Sequence, residues 1–361
     1  MLDGQDNSLK EARPTIVVGS EENGPLTGGL LALLIVEDTK GLYRCEAKFG
    51  NQGDVNNKID FLYFDRRTLD FGKDFKIKLG NDMLFEGKIT GLEAGFPEGQ
   101  PPEITVLAED RFQDLRMTRR TRTFADASDS DVFNRIANDY GLTANVNVSG
   151  PTYKVLAQVN QSDLAFMRER ARSIDAEVWM SGNALNAKSR KDRDNGTLKL
   201  GYGKELREFT ALADLAMQRT SVSVNGWDVS SKSALQHEAT ESAISAEVSR
   251  MNSGDTSGAG ILQSAFGQRK ESLAHSVPLN SQEAQATAEA FFKMIARRFV
   301  TGRGVAETNA KLRVGSYVEL DGVGPLFNGK YYLSEVRHIF DGTKGLRTEF
   351  CSERPGIGRA Q

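Results

Sequence analysis

The residues with the greatest capacity for chemistry in this sequence are three histidines and two cysteines. The histidines are His237, His275 and His338, and no second histidine or cysteine stands three or four residues from any of them, as a helical zinc site requires. The cysteines, Cys45 and Cys351, are too far apart for a CxxC metal pair. We therefore expect no metal site and two reduced thiols in a chain made in the cytoplasm, with a long-range disulfide as the alternative.

Catalytic and cofactor-binding motifs are the next features to consider. The glycine pairs GYG at 201–203 and GRG at 302–304 lack the GxGxxG or GxxxxGK[ST] spacing that surrounds a phosphate with backbone N–H groups, which favours turns. No GxSxG or HExxH motif occurs. Adjacent acids such as Glu109 and Asp110 exist, but a sequence cannot place them at a catalytic separation. We therefore predict no catalytic residues, no cofactor and no enzymatic activity.

Arginine is concentrated in two places, and these are the candidate interface residues. The first cluster is Arg111, Arg116, Arg119, Arg120 and Arg122, and the second is Arg297, Arg298 and Arg303. A basic stripe can bind nucleic-acid phosphates. The first cluster is interleaved with Asp110, Asp114 and Asp126, however, which favours inter-subunit salt bridges or a solvated strand face. The second cluster fits an interface or the lumen of an assembly in the same way.

The bulk composition is that of a water-soluble chain with two or three domains. The chain has 361 residues, and its 46 basic and 49 acidic residues give a net charge of -3, unlike a general nucleic-acid binder. No apolar run reaches the length of a membrane span. The first residues, MLDGQDNSLKEARP, have no basic region followed by an apolar one, so no secretory signal is visible.

Residue patterns divide the chain into four segments. We predict a flexible arm over 1–13, a first β region over 14–111, a small α/β region over 112–195 and a second β region over 196–361. Within the last segment, a stretch rich in Ser, Ala, Glu and Gly predicts a mobile insertion at about 230–275. Ser281 as an N-cap predicts a helix over 281–301.

A pattern near the end of the first β region recurs near the C-terminus. FGKDFKIKLGNDMLFEGKITGLE at 71–93 and VGSYVELDGVGPLFNGKYYLSEV at 314–336 both run strand, Gly-rich turn, Leu-Phe-x-Gly-Lys, strand. We expect Gly72 and Gly87 to lie on turns equivalent to those of Gly315 and Gly329. Chance similarity of two hairpins is the alternative. Two copies of one β unit per chain would let a trimer present six similar faces.

Long segments of this sequence also resemble a known family. They are GLYRCEAKFGN at 41–51, FLYFDRRTLDFGK at 61–73, ITVLAEDR at 104–111, RMTRRTRTF at 116–124, VLAQVNQSDLAFMRERAR at 155–172, ARRFVTGRGVAE at 296–307 and LRVGSYVELDGVGPLFNGKYYLSEVRHIFD at 312–341. The sequence resembles the phage late control gene D family, which includes the hub region of VgrG proteins, and within it the hub proteins of extracellular contractile injection systems.

This resemblance implies a β-rich α+β fold with two tube-like antiparallel β-barrel domains, an inserted small α/β domain and a helix in the C-terminal half. It implies a homotrimeric baseplate hub that joins a hexameric inner tube, or its initiator, to a trimeric spike, in contact with other baseplate components. The chain ends at Gln361, which leaves no room for the OB-fold and needle that follow the hub in VgrG. We therefore expect a separate spike polypeptide or an upper adapter alone.

Two other function classes stay open at this point. One is a tail-associated cell-wall hydrolase, and the other is a cargo-binding or nucleic-acid-binding module. Neither stable nucleic-acid binding nor a membrane span is expected. The particle containing the chain would be assembled in the cytoplasm and could be released to act outside the cell.

Overall fold

Antiparallel β-sheet dominates the computed structural model, which describes residues 13–228, 231–252, 254–274 and 278–359. Period-two alternation explains the strands: in EITVLAE, the side chains of Ile104, Val106 and Ala108 are buried on one face. The elements up to residue 111 are β1 (Thr15–Val18), β2 (Glu21–Glu22), α1 (Gly24–Gly29), β3 (Leu30–Asp38), β4 (Arg44–Gly50), β5 (Gln52–Val55), β6 (Lys58–Phe61), β7 (Asp74–Leu79), β8 (Asp82–Gly95) and β9 (Glu103–Glu109). Most of the predicted N-terminal arm, residues 1–12, lies outside the described residues.

A mixed α/β part follows, as the helical and strand patterns predict. It consists of α2 (Phe112–Arg116), β10 (Arg119–Ser128), α3 (Asp129–Asp139), β11 (Thr143–Asn147), β12 (Thr152–Ser162), α4 (Asp163–Ser173), β13 (Ala176–Ser181), β14 (Ala184–Ser189) and one 3-10 turn (Arg190–Asp192). Ser128 and Asp131 form a capping box at the start of α3, and the Ser162 side chain accepts the backbone N–H of Ala165 at the start of α4. Both helices pack their apolar faces into a hydrophobic core that belongs to this α/β part.

The last part returns to strands around a long helix. Its elements are β15 (Thr197–Gly201), β16 (Leu206–Ala213), β17 (Ser221–Asp228), β18 (Ser233–Thr240), α5 (Ser245–Met251), β19 (Thr256–Ser257), α6 (Gly258–Phe266), β20 (Lys270–Leu273), α7 (Ser281–Ala296), β21 (Val300–Glu307), β22 (Tyr317–Asp321), β23 (Gly329–Asp341), β24 (Gly345–Arg354) and β25 (Gly356–Ile357). The N-cap of α7 is Asn280, whose side chain accepts the backbone N–H of Glu283 at 2.9 Å. The helix ends at Ala296, five residues before the predicted end.

The stretch predicted as an insertion without regular structure is instead organised in its described part. It contains strands β18, β19 and β20 and helices α5 and α6. Val248 and Leu262 are buried, and Asp255 accepts two hydrogen bonds from the buried guanidinium of Arg354. Small residues such as Ala and Ser, which predict a loop by composition, here allow short helices to pack closely. The mobility of this stretch stays a prediction.

Two sets of five strands share one connectivity. The first unit comprises β3, β4, β7, β8 and β9, and the second comprises β16, β21, β22, β23 and β24. Neighbouring strands run β3-β4-β9-β8-β7 in the first unit and β16-β21-β24-β23-β22 in the second, all antiparallel. Pairing of β3 with β23 joins both units into one sheet. The predicted β-rich fold is confirmed, whereas the predicted domain boundaries stay predictions.

Irregularities in the strands also recur between the units. A β-bulge lies between Ile89 and Gly91 in β8, and another lies between Leu333 and Glu335 in β23. A second pair of irregularities follows Leu30 in β3 and Leu206 in β16. A bulge changes strand twist locally, so two matching pairs at corresponding places are strong evidence for duplication.

The repeat glycines match only in part. Gly72 and Gly315 both have positive φ, and each donates its N–H to the strand residue before the bulge, Ile89 or Leu333. Gly87, in contrast, lies inside β8, where a Cβ would overlap the Glu109 backbone. Gly329 is the first residue of β23. The expectation that Gly87 and Gly329 occupy equivalent turns is therefore wrong.

A buried arginine connects all three parts of the chain. The Arg193 side chain, 1% exposed, donates to Glu177 at 2.8 Å, to the hydroxyl of Tyr43 at 2.8 Å and to the carbonyl of Val314 at 3.0 Å. Its guanidinium also lies 4.0 Å from the centre of the Trp179 ring. These partners belong to the first unit, the α/β part and the second unit. Position 315 must be glycine here, because a Cβ would overlap the arginine side chain.

We expect Arg193→Ala to lower the free energy of unfolding by about 3–5 kcal/mol, because the substitution leaves buried Glu177 without its closest cation. Urea denaturation followed by fluorescence and circular dichroism would measure the loss. The matched control is Lys154→Ala, which breaks an exposed ion pair with Asp126 and should cost about 0–1 kcal/mol. A loss below about 1 kcal/mol for Arg193→Ala would contradict this central role.

Candidate assembly interface

The seam between the two units is a strand pairing inside the chain. Residues Glu335–Asp341 of β23 run antiparallel to Ala32–Asp38 of β3, with His338 opposite Ile35 and Phe340 opposite Leu33. Phe340 is only 8% exposed, because it packs into the core of the first unit. A strand of the second unit thus supplies an aromatic side chain to the first unit. This seam shows how one unit fits beside the next.

Polar contacts reinforce this seam. Arg313, in the connection from β21 to β22, forms an ion pair with buried Glu37 of β3 and donates to the carbonyl of Met83 at 2.9 Å. Ala310 of the same connection packs against the core of the first unit. The connection between the second and third strands of the second unit therefore covers the neighbouring unit.

Buried His338 occupies the middle of the seam. Its Nδ1 is 2.9 Å from the hydroxyl oxygen of Thr348, and its imidazole has no solvent exposure. Burial, together with the nearby charge of Arg313, lowers the pKa of His338 to about 3. The histidine is therefore neutral over the physiological range and serves as a packing residue.

Two strand edges have no strand partner among the described residues, and each is the counterpart, in the other unit, of a strand edge that forms this seam. Apart from one bridge between Leu206 and Tyr202, β16 pairs only with β21. The outer half of β8, Gly91–Gly95, pairs only with β9. By the shared connectivity, β16 corresponds to β3 and the outer half of β8 corresponds to the part of β23 that pairs with β3. Exposed edges of this kind favour association with another strand.

An aromatic cluster stands beside the free edge of β8. The ring of Phe61 lies 4.9 Å from that of Phe64, and the ring of Phe96 lies 6.2 Å and 6.0 Å from the two, measured between centroids. Phe96 follows the last residue of β8 and is 65% exposed. Phe61 is also exposed, whereas Phe64 is partly buried against the core of the first unit. An aromatic cluster with two exposed members is typical of a binding surface.

The face of the sheet that points away from the cores is polar and continuous across both units. One row of directly paired residues crosses the seam and contains Glu208, Val305, Glu349, Arg337, Val36, Arg44 and Glu109. Three acidic, two basic and two apolar side chains therefore share a single surface. Of the candidate interface residues predicted from the sequence, Arg303 lies on this face, and the other residues of the face could not be found because alternation alone does not show which strands are neighbours.

The arginines of the first predicted cluster mostly pair within the chain. Arg120 and Arg122 both contact the buried carboxylate of Asp163, at 3.2 Å and 2.7 Å. The remaining contacts join Arg111 to Asp114 at 3.4 Å, Arg116 to Glu109 at 2.5 Å, and Arg119 to the carbonyl of Asn160 at 3.0 Å. The cluster therefore stabilises the α/β part around β10, and a contact with another subunit stays a prediction.

The three arginines of the second cluster occupy different environments. Arg297 is buried and forms ion pairs with Asp175 and Glu247 of the same chain, so its guanidinium is not accessible to another subunit. Arg298 is exposed and lies 3.5 Å from Glu353. Arg303 lies on the outward face of β21, opposite Thr210 and Cys351. Only the last two are accessible to a partner, and the expectation for Arg297 is corrected.

The groups with the strongest chemical potential have structural surroundings. Asp110 is buried and accepts the backbone N–H groups of Tyr43 and Phe112 at 2.8 Å and 2.9 Å. Burial raises the pKa of Asp110 to about 7. Cys45 and Cys351 are free thiols. His275 lies outside the described residues, and within the described ranges no group of three or more His, Cys, Asp or Glu could hold a metal ion.

Comparison with known proteins gives a family and a set of similar folds. The model of the family described as the Alg8 N-terminal domain matches residues 51–341. The chain belongs to this family. The matching family model is not that of the late control gene D family, which the sequence resembles. Membership of the late control gene D family stays unconfirmed. No curated protein matches the sequence.

Similar solved structures include tail proteins and a component of a secretion system. The 43 kDa tail protein of prophage MuSo2 from Shewanella oneidensis has a TM-score of 0.70 at 9% identity, with 95% of this chain and 98% of that one covered. A tail protein from Neisseria meningitidis MC58 has a TM-score of 0.64 at 12% identity, over 95% and 96% of the two chains. A type VI secretion component of Escherichia coli has a TM-score of 0.60 at 11% identity, over 96% and 79%. The chain therefore has a tail-protein fold.

Acid should weaken the folded state through His338. In the unfolded chain this histidine takes up a proton below about pH 6.5, whereas in the folded chain it stays neutral until about pH 3. Between these values the proton favours the unfolded state, so stability falls as the pH falls. Urea denaturation at pH 6.5 and 4.5 should show a loss that is about 2–3 kcal/mol larger for the native chain than for His338→Gln. Equal losses in both proteins would contradict the neutral buried state.

Proposed function

We propose that this chain is a non-enzymatic structural hub of a contractile, tail-like particle. In this proposal three copies form a ring that joins a six-fold inner tube to a three-fold spike. The particle would be assembled in the cytoplasm and could be released to act outside the cell. Other baseplate components would contact the periphery of the ring.

The observation that carries the proposal is the duplication of one five-stranded unit within one sheet. Both units have the same strand order and corresponding bulges, and they are joined side by side through β3 and β23. A chain with two similar units supplies six units when three copies close, and closed cyclic assemblies are the common form of homo-oligomer. The α/β part, in contrast, occurs once in each chain, so a trimer contains three copies of it. A trimer is thus suited to join six-fold and three-fold partners.

The fold comparisons support the same role at a coarser level. The similar structures are tail proteins, and the Escherichia coli protein is described as a type VI secretion component similar to the T4 bacteriophage tail proteins gp27 and gp5. A further similar structure is the Francisella PdpA-VgrG complex, with a TM-score of 0.52 at 10% identity over 98% of this chain and 59% of that one. Asp110 and His338 are buried and make hydrogen bonds within the fold, which agrees with a structural role in an assembly.

The ends of the proposed ring carry different features in its two kinds of unit. The β5–β6 hairpin, Gln52–Phe61, is present in the first unit, whereas the second unit has only a short connection between β21 and β22 at the same place. Such a difference reduces six similar positions to three. We infer that the polar outward face of the sheet would line the channel of the ring, where charges of both signs bind no single class of passenger strongly.

Imaging of the assembled particle by electron cryomicroscopy should show three copies of this chain in one ring between tube and spike. The physical reason is the number of units per chain, because six chains would supply twelve units to a six-fold tube. Six copies in one ring, or no copy between tube and spike, would contradict the adapter role. A lytic band in a peptidoglycan zymogram, lost when the chain is removed, would favour the cell-wall hydrolase instead.

A further inference from the structure

The seam within the chain has a counterpart whose two halves, at different ends of the sheet, have no strand partner in the part of the chain that the structure describes. We propose that β16 of one subunit pairs with the outer half of β8 of the next, in the register that β3 and β23 use, and that Phe96 thereby enters the second unit of the neighbour. This inference rests on the proposed trimer and specifies the side chains through which its subunits meet.

Matching bulges fix the register of the proposed pairing on the β8 side. Because the bulge of β8 follows Ile89 and that of β23 follows Leu333, Gly91 corresponds to Glu335. Counting along both strands, Glu93 corresponds to Arg337 and Phe96 corresponds to Phe340.

Corresponding positions on β16 follow from the other pair of irregularities. Leu30 pairs with Phe49 and Leu206 pairs with Ala306, and in both strands the register shifts at the next residue. Leu33 of β3 therefore corresponds to Phe209 of β16, and Val36 corresponds to Leu212. Since Arg337 faces Val36 and Phe340 faces Leu33 within the chain, Glu93 should face Leu212, and Phe96 should face Phe209, across the subunit boundary.

Phe96 is far more exposed than its counterpart Phe340, as expected if the unit that would cover Phe96 belongs to another subunit. Phe340 is 8% exposed inside the adjacent unit, whereas Phe96 is 65% exposed. Ala94 lies on the core-facing side of β8, because its partner Ile104 is buried, yet Ala94 is itself exposed. Within the described ranges, the end of β8 thus presents an apolar face that other residues do not cover. Burying an aromatic ring of this size removes about 150–250 Å² of surface from water.

The surface that should receive Phe96 is already aromatic. Phe209 of β16 is partly buried, and its ring centroid lies 5.6 Å from that of Tyr331 and 6.4 Å from that of Phe350. Aromatic side chains directly opposite each other on neighbouring strands stabilise a sheet. A phenylalanine from the next subunit would extend this group of rings at the edge of the second unit's core.

The remaining members of the aromatic cluster fit the same neighbour. Phe61 and Phe64 belong to the connection from β4 to β7, and the matching connection of the second unit covers its neighbour through Ala310 and Arg313. We therefore place Phe61 and Phe64 against the second unit of the next subunit. The occupant is a second copy of this chain, because each chain carries both halves of the contact, and a closed ring leaves neither half exposed.

The test uses paired cysteines in assembled particles, where the subunits are held together whatever their affinity in solution. In a Cys351→Ser background, Glu93→Cys with Leu212→Cys should give disulfide-linked multimers of this chain on non-reducing gels, because directly opposed residues on paired strands are about 4.5–5.5 Å apart. The control pair, Glu93→Cys with Thr210→Cys, is displaced by two residues on the same face, at about 7–8 Å, and should crosslink far less.

Phe96→Asp supplies a second readout that does not depend on thiols. It should reduce incorporation of the chain into particles by about tenfold or more, because a carboxylate would enter an apolar contact at the subunit boundary. Trp227→Asp is the matched control, since Trp227 is also exposed, at 51%, and lies on β17, which belongs to neither five-stranded unit. Both variants should keep the unfolding midpoint of the native chain.

The outcomes separate this inference from the proposed function. Three copies per particle, crosslinking of the 93/212 pair above the 93/210 pair, and loss of incorporation with Phe96→Asp alone would support both. Three copies with equal or absent crosslinking, or normal incorporation of Phe96→Asp, would overturn the inference and leave the hub proposal standing. Any copy number other than three would overturn the hub proposal itself.

Discussion

The buried guanidinium of Arg193 is the contact on which the arrangement of the three parts depends. A guanidinium has five donors in one plane, and this one reaches Glu177, Tyr43 and the Val314 carbonyl while its face covers Trp179. Glu177 and Trp179 belong to the α/β part, Tyr43 belongs to the first unit and Val314 belongs to the second unit. Removing a charge from water is costly, so the arrangement is favourable only when every part is in position. The arginine therefore specifies a relative placement that apolar packing alone would leave adjustable.

The shared sheet imposes a second constraint on both units. Side chains alternate between the two faces of a strand, so a slip by one residue would exchange buried and exposed sets along the seam. At the seam, His338 and Phe340 are buried while Arg337 faces outward. β23 pairs with β22 before its bulge and with β3 after it, while β24 runs along most of the strand. β8 likewise pairs with β7 only before its bulge, and β9 pairs with it on both sides of the bulge. This division explains why β8 and β23 are the longest strands described.

The sequence predicts the class of fold and the repeat because both are recorded in local patterns. Alternation indicates strands, and Gly72 and Gly315 mark corresponding bends whose φ values require glycine. The Leu-Phe-x-Gly-Lys motif was misleading, since its first copy lies within β8 whereas its second begins in the longer turn before β23. Turn length is free to change without loss of the fold, and a short motif cannot reveal where the extra residues lie.

The contacts between parts of the chain and the residues of the proposed subunit boundary were the least predictable features. Arg193 belongs to a charged run that resembles an exposed loop, and its partners are distant in sequence. Phe96 and Phe340 carry one detectable signal, because each stands at the end of the long strand of its repeat. Charge clusters drew attention to arginines that satisfy carboxylates of their own chain. Residue type alone does not show whether a charge has a partner within the fold.

The β3–β23 pairing also has a consequence for the order of events during synthesis. Leu30–Val36, with the sequence LLALLIV, leaves the ribosome long before its partner, because Phe340 follows Leu33 by about 300 residues. At usual elongation rates this interval is roughly 15–60 s. During that time one edge of a strongly apolar strand has no permanent neighbour. Translation speed and chaperone availability should therefore influence the yield of folded chain.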